Sequence, residues 1–240
     1  MLRKLILVLG TAVAALALAG VAYAAVNVTF SASAKPNKAN KPTGLRVNIG
    51  STDDTPGALQ PPIMNRIVIK LPGGKYKANK FPRCRLAVLQ AKGPTACPSK
   101  SKIGSGTGIG LARPVVEDPV NGKLTIFNGN RQGGRDTVLV FVFPDLGPTF
   151  VSVGKVIKKG GKYTLDFTVP PIKTLPNAPD ASVTSVKTNT PRKRIKKGKR
   201  SHYLIIAPRK CKRTWKASAT IYFATGETKT VSYKQKCKKR

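Results

Sequence analysis

One histidine, nine acidic residues and four cysteines in 240 residues leave this chain few groups for side-chain chemistry. His202 is the lone imidazole. A nucleophilic triad would need a hydroxyl and an orienting acid around it. Its neighbour Ser201 points to the other side of an extended chain, and the acids nearest in sequence are Asp180 and Glu227. No G-x-S-x-G is present. A surface or strand-edge position accounts for His202 better than catalysis does. Asp53-Asp54 and Glu117-Asp118 are the paired carboxylates. Each pair lies close to proline, so they read as turn residues rather than as a glycosidase pair or a calcium site. Residues 103–110, IGSGTGIG, have the glycine density of a phosphate-binding loop but lack the Lys-Ser/Thr and the helix that should follow. Glycine at every second position instead bares one face of an extended segment, which suits close packing on another backbone. No metal site and no cofactor are expected.

What the chain has in excess is positive charge. Lys and Arg total 44, for a formal net charge of +35. Residues 191–240 hold 18 of these cations against Glu227 alone, a net +17. Arg192, Lys193, Arg194, Lys196, Lys197, Lys199 and Arg200 place seven cations in nine positions. Lys210, Lys212 and Arg213 follow, and the tail adds Lys234, Lys236, Lys238, Lys239 and Arg240. Such a segment attracts polyanions and raises encounter rates. Lys outnumbers Arg 30 to 14. Lys is a hydrated point charge, whereas Arg supplies bidentate recognition, so the balance favours non-specific attraction. Aromatics are only 6% of the chain, too sparse for a base-stacking platform, and sequence-specific nucleic acid is disfavoured as a partner.

The elements that must position these groups begin behind an export signal. Arg3 and Lys4 precede an apolar stretch from Leu5 to Val21, and Ala22-Tyr23-Ala24 is a small-x-small cleavage site. Residues 1–24 therefore read as a signal peptide, with an uncleaved N-terminal anchor as the alternative. The residue after Leu18-Ala19-Gly20 is Val21, not cysteine, which disfavours a lipid anchor. Cysteine usage agrees with export, because an even number in a secreted chain points to disulfides. Cys84, Cys97, Cys211 and Cys237 allow three connectivities. Cys84–Cys97 and Cys211–Cys237 are favoured, since each pair falls within one local unit. No CxxC pair supports a zinc site.

Residues 25–240 read as strands. Val26, Val28 and Phe30 alternate with polar residues, as do Leu45, Val47 and Ile49. The set Ile67, Ile69 and Leu71 ends at Pro72-Gly73-Gly74. The run TVLVFVF at 137–143 predicts a strand buried on both faces. Segments 150–157 and 163–169 flank a Lys-Lys-Gly-Gly hairpin turn at 158–161, and 203–206 is a short strand. Trp215, Ala217, Ala219, Ile221 and Phe223 give the cleanest alternation, turning at 225–227 into 228–236. In that hairpin Cys211 and Cys237 sit at the open end but out of register, which calls for a longer turn or a bulge. Residues 191–198 read as a charged loop and 170–179 as a proline-rich extended connection. No sustained helical period occurs outside the signal. The expected fold is all-β: an antiparallel β-sandwich or related barrel stapled by two disulfides, with two sub-domains split near 114–122 as one arrangement.

FPRCRLAVLQ, CPSKSKIGSGTG and SHYLIIAPRKC, with a late cysteine in the last hairpin, resemble exported, β-rich proteins of actinobacteria. Those carry a C…CP…S-x-IG-x-G block and a YL-x-x-x-P-x-x-C element. The resemblance implies secretion by a bacterium and supports the same disulfide pairing, and it implies no activity. The resulting expectation is a non-catalytic, secreted or cell-envelope protein that binds anionic cell-wall polymer or an anionic membrane surface electrostatically. The alternatives are a secreted enzyme on an anionic substrate, using Asp136, Asp145 or Asp166, and a structural protein whose charge aids solubility.

Overall fold

The computed structural model describes residues 26–175 and 179–239. Residues 1–24, with the predicted cleavage residues Ala22 and Ala24, and the terminal Arg240 lie outside the described residues. No helix among the described residues is long and apolar enough to cross a membrane.

Eleven strands form one antiparallel sheet that curls until its two edges meet. In chain order the strands are β1 (Val26–Lys35), β2 (Gly44–Asp53), β3 (Met64–Leu71), β4 (Lys75–Tyr76), β5 (Lys102–Ala112), β6 (Val116–Gln132), β7 (Arg135–Pro144) and β8 (Phe150–Lys159). They continue as β9 (Lys162–Thr168), β10 (Ser182–Thr190), β11 (Arg194–Lys197), β12 (Arg200–Tyr203), β13 (Ile205–Ile206), β14 (Thr214–Phe223) and β15 (Thr228–Lys236). The large sheet runs β1-β2-β10-β5-β6-β7-β8-β9-β3-β14-β15. Of the two architectures the sequence allows, this is the barrel. Residues 114–122 are the β5–β6 turn and the start of β6, and the sheet takes strands from both sides of them.

Side chains close the remaining seam. β1 and β15 run parallel there, and the Gln235 amide bridges them like an extra peptide group. Its Oε1 accepts from Ala34 N at 2.8 Å, and its Nε2 donates to Ala34 O at 2.8 Å. Past the strand ends, Ala39 N donates to Lys238 O and Lys238 N donates to Asn37 O, both at 3.0 Å. These bonds pair part of the two edges, which shortens the open edge that could template aggregation.

Alternation decides which residues face inward. Ala217, Ala219, Ile221 and Phe223 of β14 are buried, and they pack with Ile67 and Ile69 of β3 and Val47 and Ile49 of β2. A second inner cluster joins Ile103, Ile126, Val138 and Val156 to Phe81 and Leu204. The TVLVFVF strand is covered on both faces up to Val142, as its composition predicts, whereas the last residue of that run, Phe143, is exposed. Val138 and Val140 face the lumen side. Leu139 and Phe141 lie under a short helix, α1 (Leu86–Lys92), whose Leu89 is fully buried against them. This helix is absent from the sequence expectation because seven residues carry too little period to register. The glycine run forms most of β5. A Cβ on Gly104 would stand 2.6 Å from Asn189 O, so close backbone packing against β10 explains the glycine.

Both expected disulfides are present, with Cα separations of 5.2 Å for Cys84–Cys97 and 5.9 Å for Cys211–Cys237. The first ties α1 down. Cys84 N donates to Asn128 O at 2.9 Å, and Asn130 N donates to Cys84 O at 3.2 Å. The second resolves its register problem from both ends. The final turn is wider than Thr225-Gly226, because Tyr222 pairs with Thr228. At the other end the chain folds back at Arg213, which takes a φ of 73°. Two disulfides fit an oxidising, extracellular compartment.

Residues 191–198 are not simply a charged loop, because Arg194 to Lys197 form β11 and pair with β12. Ile195 packs on the inner cluster and anchors this hairpin, which alternation over four residues is too short to reveal.

Candidate functional site: a basic barrel end

Strand direction sorts charge along the barrel. At one end the strands terminate in Lys35, Lys102, Arg135, Lys159, Lys162 and Lys236. At the other end lie Asp53, Asp54, Glu117, Asp118, Asp145, Asp180 and Glu227. Only Asp136 and Asp166 among the nine acids fall elsewhere. The barrel therefore has a basic end and an end that holds most of its negative charge.

The predicted polyanion-binding residues converge on the basic end. Arg192, Lys193, Arg194, Lys196, Lys197, Lys199 and Arg200 occupy the β11–β12 hairpin and the irregular residues leading into it. The base of that hairpin is fixed by Leu204 N donating to Lys193 O at 3.0 Å. Lys210, Lys212 and Arg213 flank Cys211 before β14, where Trp215 Nε1 donates to Lys210 O at 3.1 Å. Lys234 and Lys236 finish β15, and Lys238 forms a parallel bridge with Lys38. Lys239 follows. The fold adds Lys41, Lys158, Lys159 and Lys162, which the sequence reading did not include. Their signal was the Lys-Lys-Gly-Gly turn, a hairpin tip whose end of the barrel depends on strand count.

The carboxylates named for an enzyme are not brought together. Asp136 and Asp145 sit nine residues apart at and just beyond opposite ends of β7, roughly 30 Å along an extended chain. Asp136 pairs with Arg83 at 2.7 Å. Asp145 Oδ2 accepts from Asn121 Nδ2 at 3.3 Å. Asp166 is held by Arg66 through two hydrogen bonds of 2.8 Å. Asp53 caps a local turn, accepting from Thr55 N at 3.0 Å, as its position before a proline predicts. Glu117 and Asp118 differ: they lie within β6 rather than in a turn. His202 pairs across the hairpin with Ile195. Among the described residues no group of three His, Cys, Asp or Glu could hold a metal.

The Arg66 guanidinium, hydrogen-bonded to Asp166, holds that carboxyl below its usual range, while partial burial opposes the shift. A depressed folded-state pKa stabilises the protein above the unfolded value near 4 and loses that contribution as pH falls through the folded one. Acid titration of stability should therefore show a component below about pH 4 that Asp166→Asn removes. An unchanged acid profile in that variant refutes the assignment.

The fold and its sorted charge define an all-β barrel with a strongly basic end. Comparison with known protein families, curated proteins and solved structures finds no match.

Proposed function

We propose that this is a secreted, cell-envelope protein of a bacterium that holds anionic cell-wall polymer at the basic end of its barrel, without catalysis. The supporting observation is the sorting of charge. A coat that only aids solubility needs no polarity, whereas here the acids gather at the end away from the β11–β12 hairpin. Lysine predominates, which suits a flexible, repetitive polyanion better than a single planar anion. The export signal read from the sequence and the paired cysteines support a location where such polymers lie.

The test is binding of the purified, oxidised protein to anionic wall polymer across a salt series. A protein with the seven cations of 192–200 changed to Gln runs beside it. Affinity should fall linearly with salt on logarithmic axes, and the variant should show a shallower slope and weaker binding. Binding that ignores salt, or is equal in the two proteins, overturns the proposal. Anionic vesicles in the same series rank lipid headgroups against polymer.

A further inference from the structure

We propose that the barrel lumen is a binding site for one aliphatic chain. The inner wall lines a half-open cavity of about 280 Å³. An eight-stranded barrel is just wide enough for its own side chains to fill, and this one has eleven strands. Small residues keep the extra width open. Gly108, Gly110 and Gly122 line one wall, and Ala32, Ala34 and Ala217 line another. Between them stand aliphatic side chains such as Val140, Leu124 and Leu165.

Thr43, Ser152, Thr188 and Gln235 reach the lining with their polar atoms already partnered. Thr43 Oγ1 donates to Pro36 O at 2.8 Å, and Ser152 Oγ donates to Thr168 O at 2.7 Å. Thr188 Oγ1 donates to Val47 O at 3.2 Å, and the Gln235 amide is consumed by the seam. Water needs two to four polar partners to settle in a cavity, so this lining favours an apolar occupant. The volume is roughly twice that of an apolar cavity that admits benzene, which suits a chain of about ten to twelve carbons.

The ends of the barrel differ in their cover. At the basic end β4 and β13 pair across the opening, and Lys77 N donates to Leu204 O at 2.8 Å. At the acidic end stand Leu59, Val115, Phe143 and Leu175, the four large apolar side chains that are exposed among the described residues. Phe143 is 58% exposed although it continues the outward stripe that α1 covers higher up. A chain approaching that end meets apolar side chains before it meets the lumen.

The test uses N-phenyl-1-naphthylamine, an uncharged apolar fluorophore that the cations do not attract. The purified, oxidised protein should bind it saturably, at about one site per chain, with little dependence on salt. A Gly108→Phe variant fills the lumen. A Cβ at this position meets only Ser185 O at 3.6 Å and Leu124 Cδ2 at 3.9 Å, both ordinary contacts, so the wall accepts a side chain. Probe affinity should drop at least tenfold with the circular dichroism unchanged. Gly108→Val, a residue suited to a strand, serves where the larger ring prevents folding. The protein neutralised at 192–200 should bind the probe as the parent does, which separates this site from the polyanion site. Displacement by 1-dodecanol alone assigns a free chain. Displacement also by dodecanoyl lysophosphatidylcholine assigns a chain carried on a headgroup. Absence of saturable binding, displacement by neither competitor, or full binding in the folded Gly108 variants overturns the proposal.

Discussion

Asn128→Ala should lower the stability of the protein by about 3 kcal/mol. Asn128 is fully buried in β6. Its Nδ2 lies 3.1 Å from Ala78 O, 3.4 Å from Phe81 O and 2.9 Å from Pro82 O, and its Oδ1 accepts from the Tyr76 hydroxyl at 3.4 Å. One side-chain amide thus ties four residues of the 76–82 segment to β6, beside the bonds that Tyr76 N and Lys77 N make to Tyr163 and Leu204. Truncation leaves the Phe81 and Pro82 carbonyls and the Tyr76 hydroxyl without that partner, while Ala78 O keeps Phe81 N. Each unsatisfied buried group costs about 1–3 kcal/mol, and partial relaxation keeps the total near the figure given. Burial raises the Tyr76 hydroxyl above its ordinary range, with Asp136 adding and Arg83 opposing, so it stays protonated and cannot substitute as a charge. Denaturant unfolding measures the loss. Hydrogen exchange should localise it to the amides of Lys80 and Phe81, which now donate to Lys77 O and Ala78 O. Asn128→Asp sharpens the test. Its carboxylate would face carbonyl oxygens, so this variant should be the less stable at neutral pH and recover as acid protonates it. An Asn128→Ala protein within 0.5 kcal/mol of the parent would show that water replaces the amide.

The same residue shows where sequence patterning stops being informative. Asn128, Gly129 and Asn130 interrupt β6 with residues that normally mark loops, so the longest strand of the barrel leaves little trace in composition. β10 alternates Ser and Thr with few apolar residues, because its outward face is polar and its inward face is partly threonine. β5 spends its inward positions on glycine. By contrast β14 and β15 alternate without interruption, and the structure places β15 at the predicted residues 228–236. Local patterning finds such hairpins because both partners are neighbours in sequence. It does not find that β3 inserts between β9 and β14, or that β10 inserts between β2 and β5. Those pairings decide barrel against sandwich, and they depend on complementarity between distant segments. The lumen was invisible for the same reason. Alternation identifies an apolar face, but whether opposing faces touch depends on how many strands share the circumference. The cations were legible as a run at 192–200, whereas their assembly at one end required strand direction.

That assembly makes a second large effect measurable at constant net charge. Changing Lys158, Lys159 and Lys162 to Gln removes three cations from the β8–β9 turn, at the basic end but far in sequence from the C-terminal cluster. Changing Arg113, Lys123 and Lys173 to Gln removes three cations from the opposite half, where Lys173 already pairs with Asp180 at 2.8 Å. The two proteins carry the same total charge. If the polymer sits on the basic end, the first set should lose about tenfold in affinity and flatten the salt dependence by up to about three units, while the second changes little. A mechanism driven by net charge alone weakens both equally, because long-range attraction reads the sum of the charges. At physiological ionic strength that attraction is screened over about 8 Å, so cations on the far side of the barrel contribute little to a contact at the basic end. Equal losses in the two proteins would therefore reject an end-on site and leave the charge as a general property of the molecule. Unequal losses in the expected order, together with the loss on changing 192–200, place the polymer across the β8–β9 turn and the β11–β12 hairpin, a surface assembled from residues thirty or more positions apart.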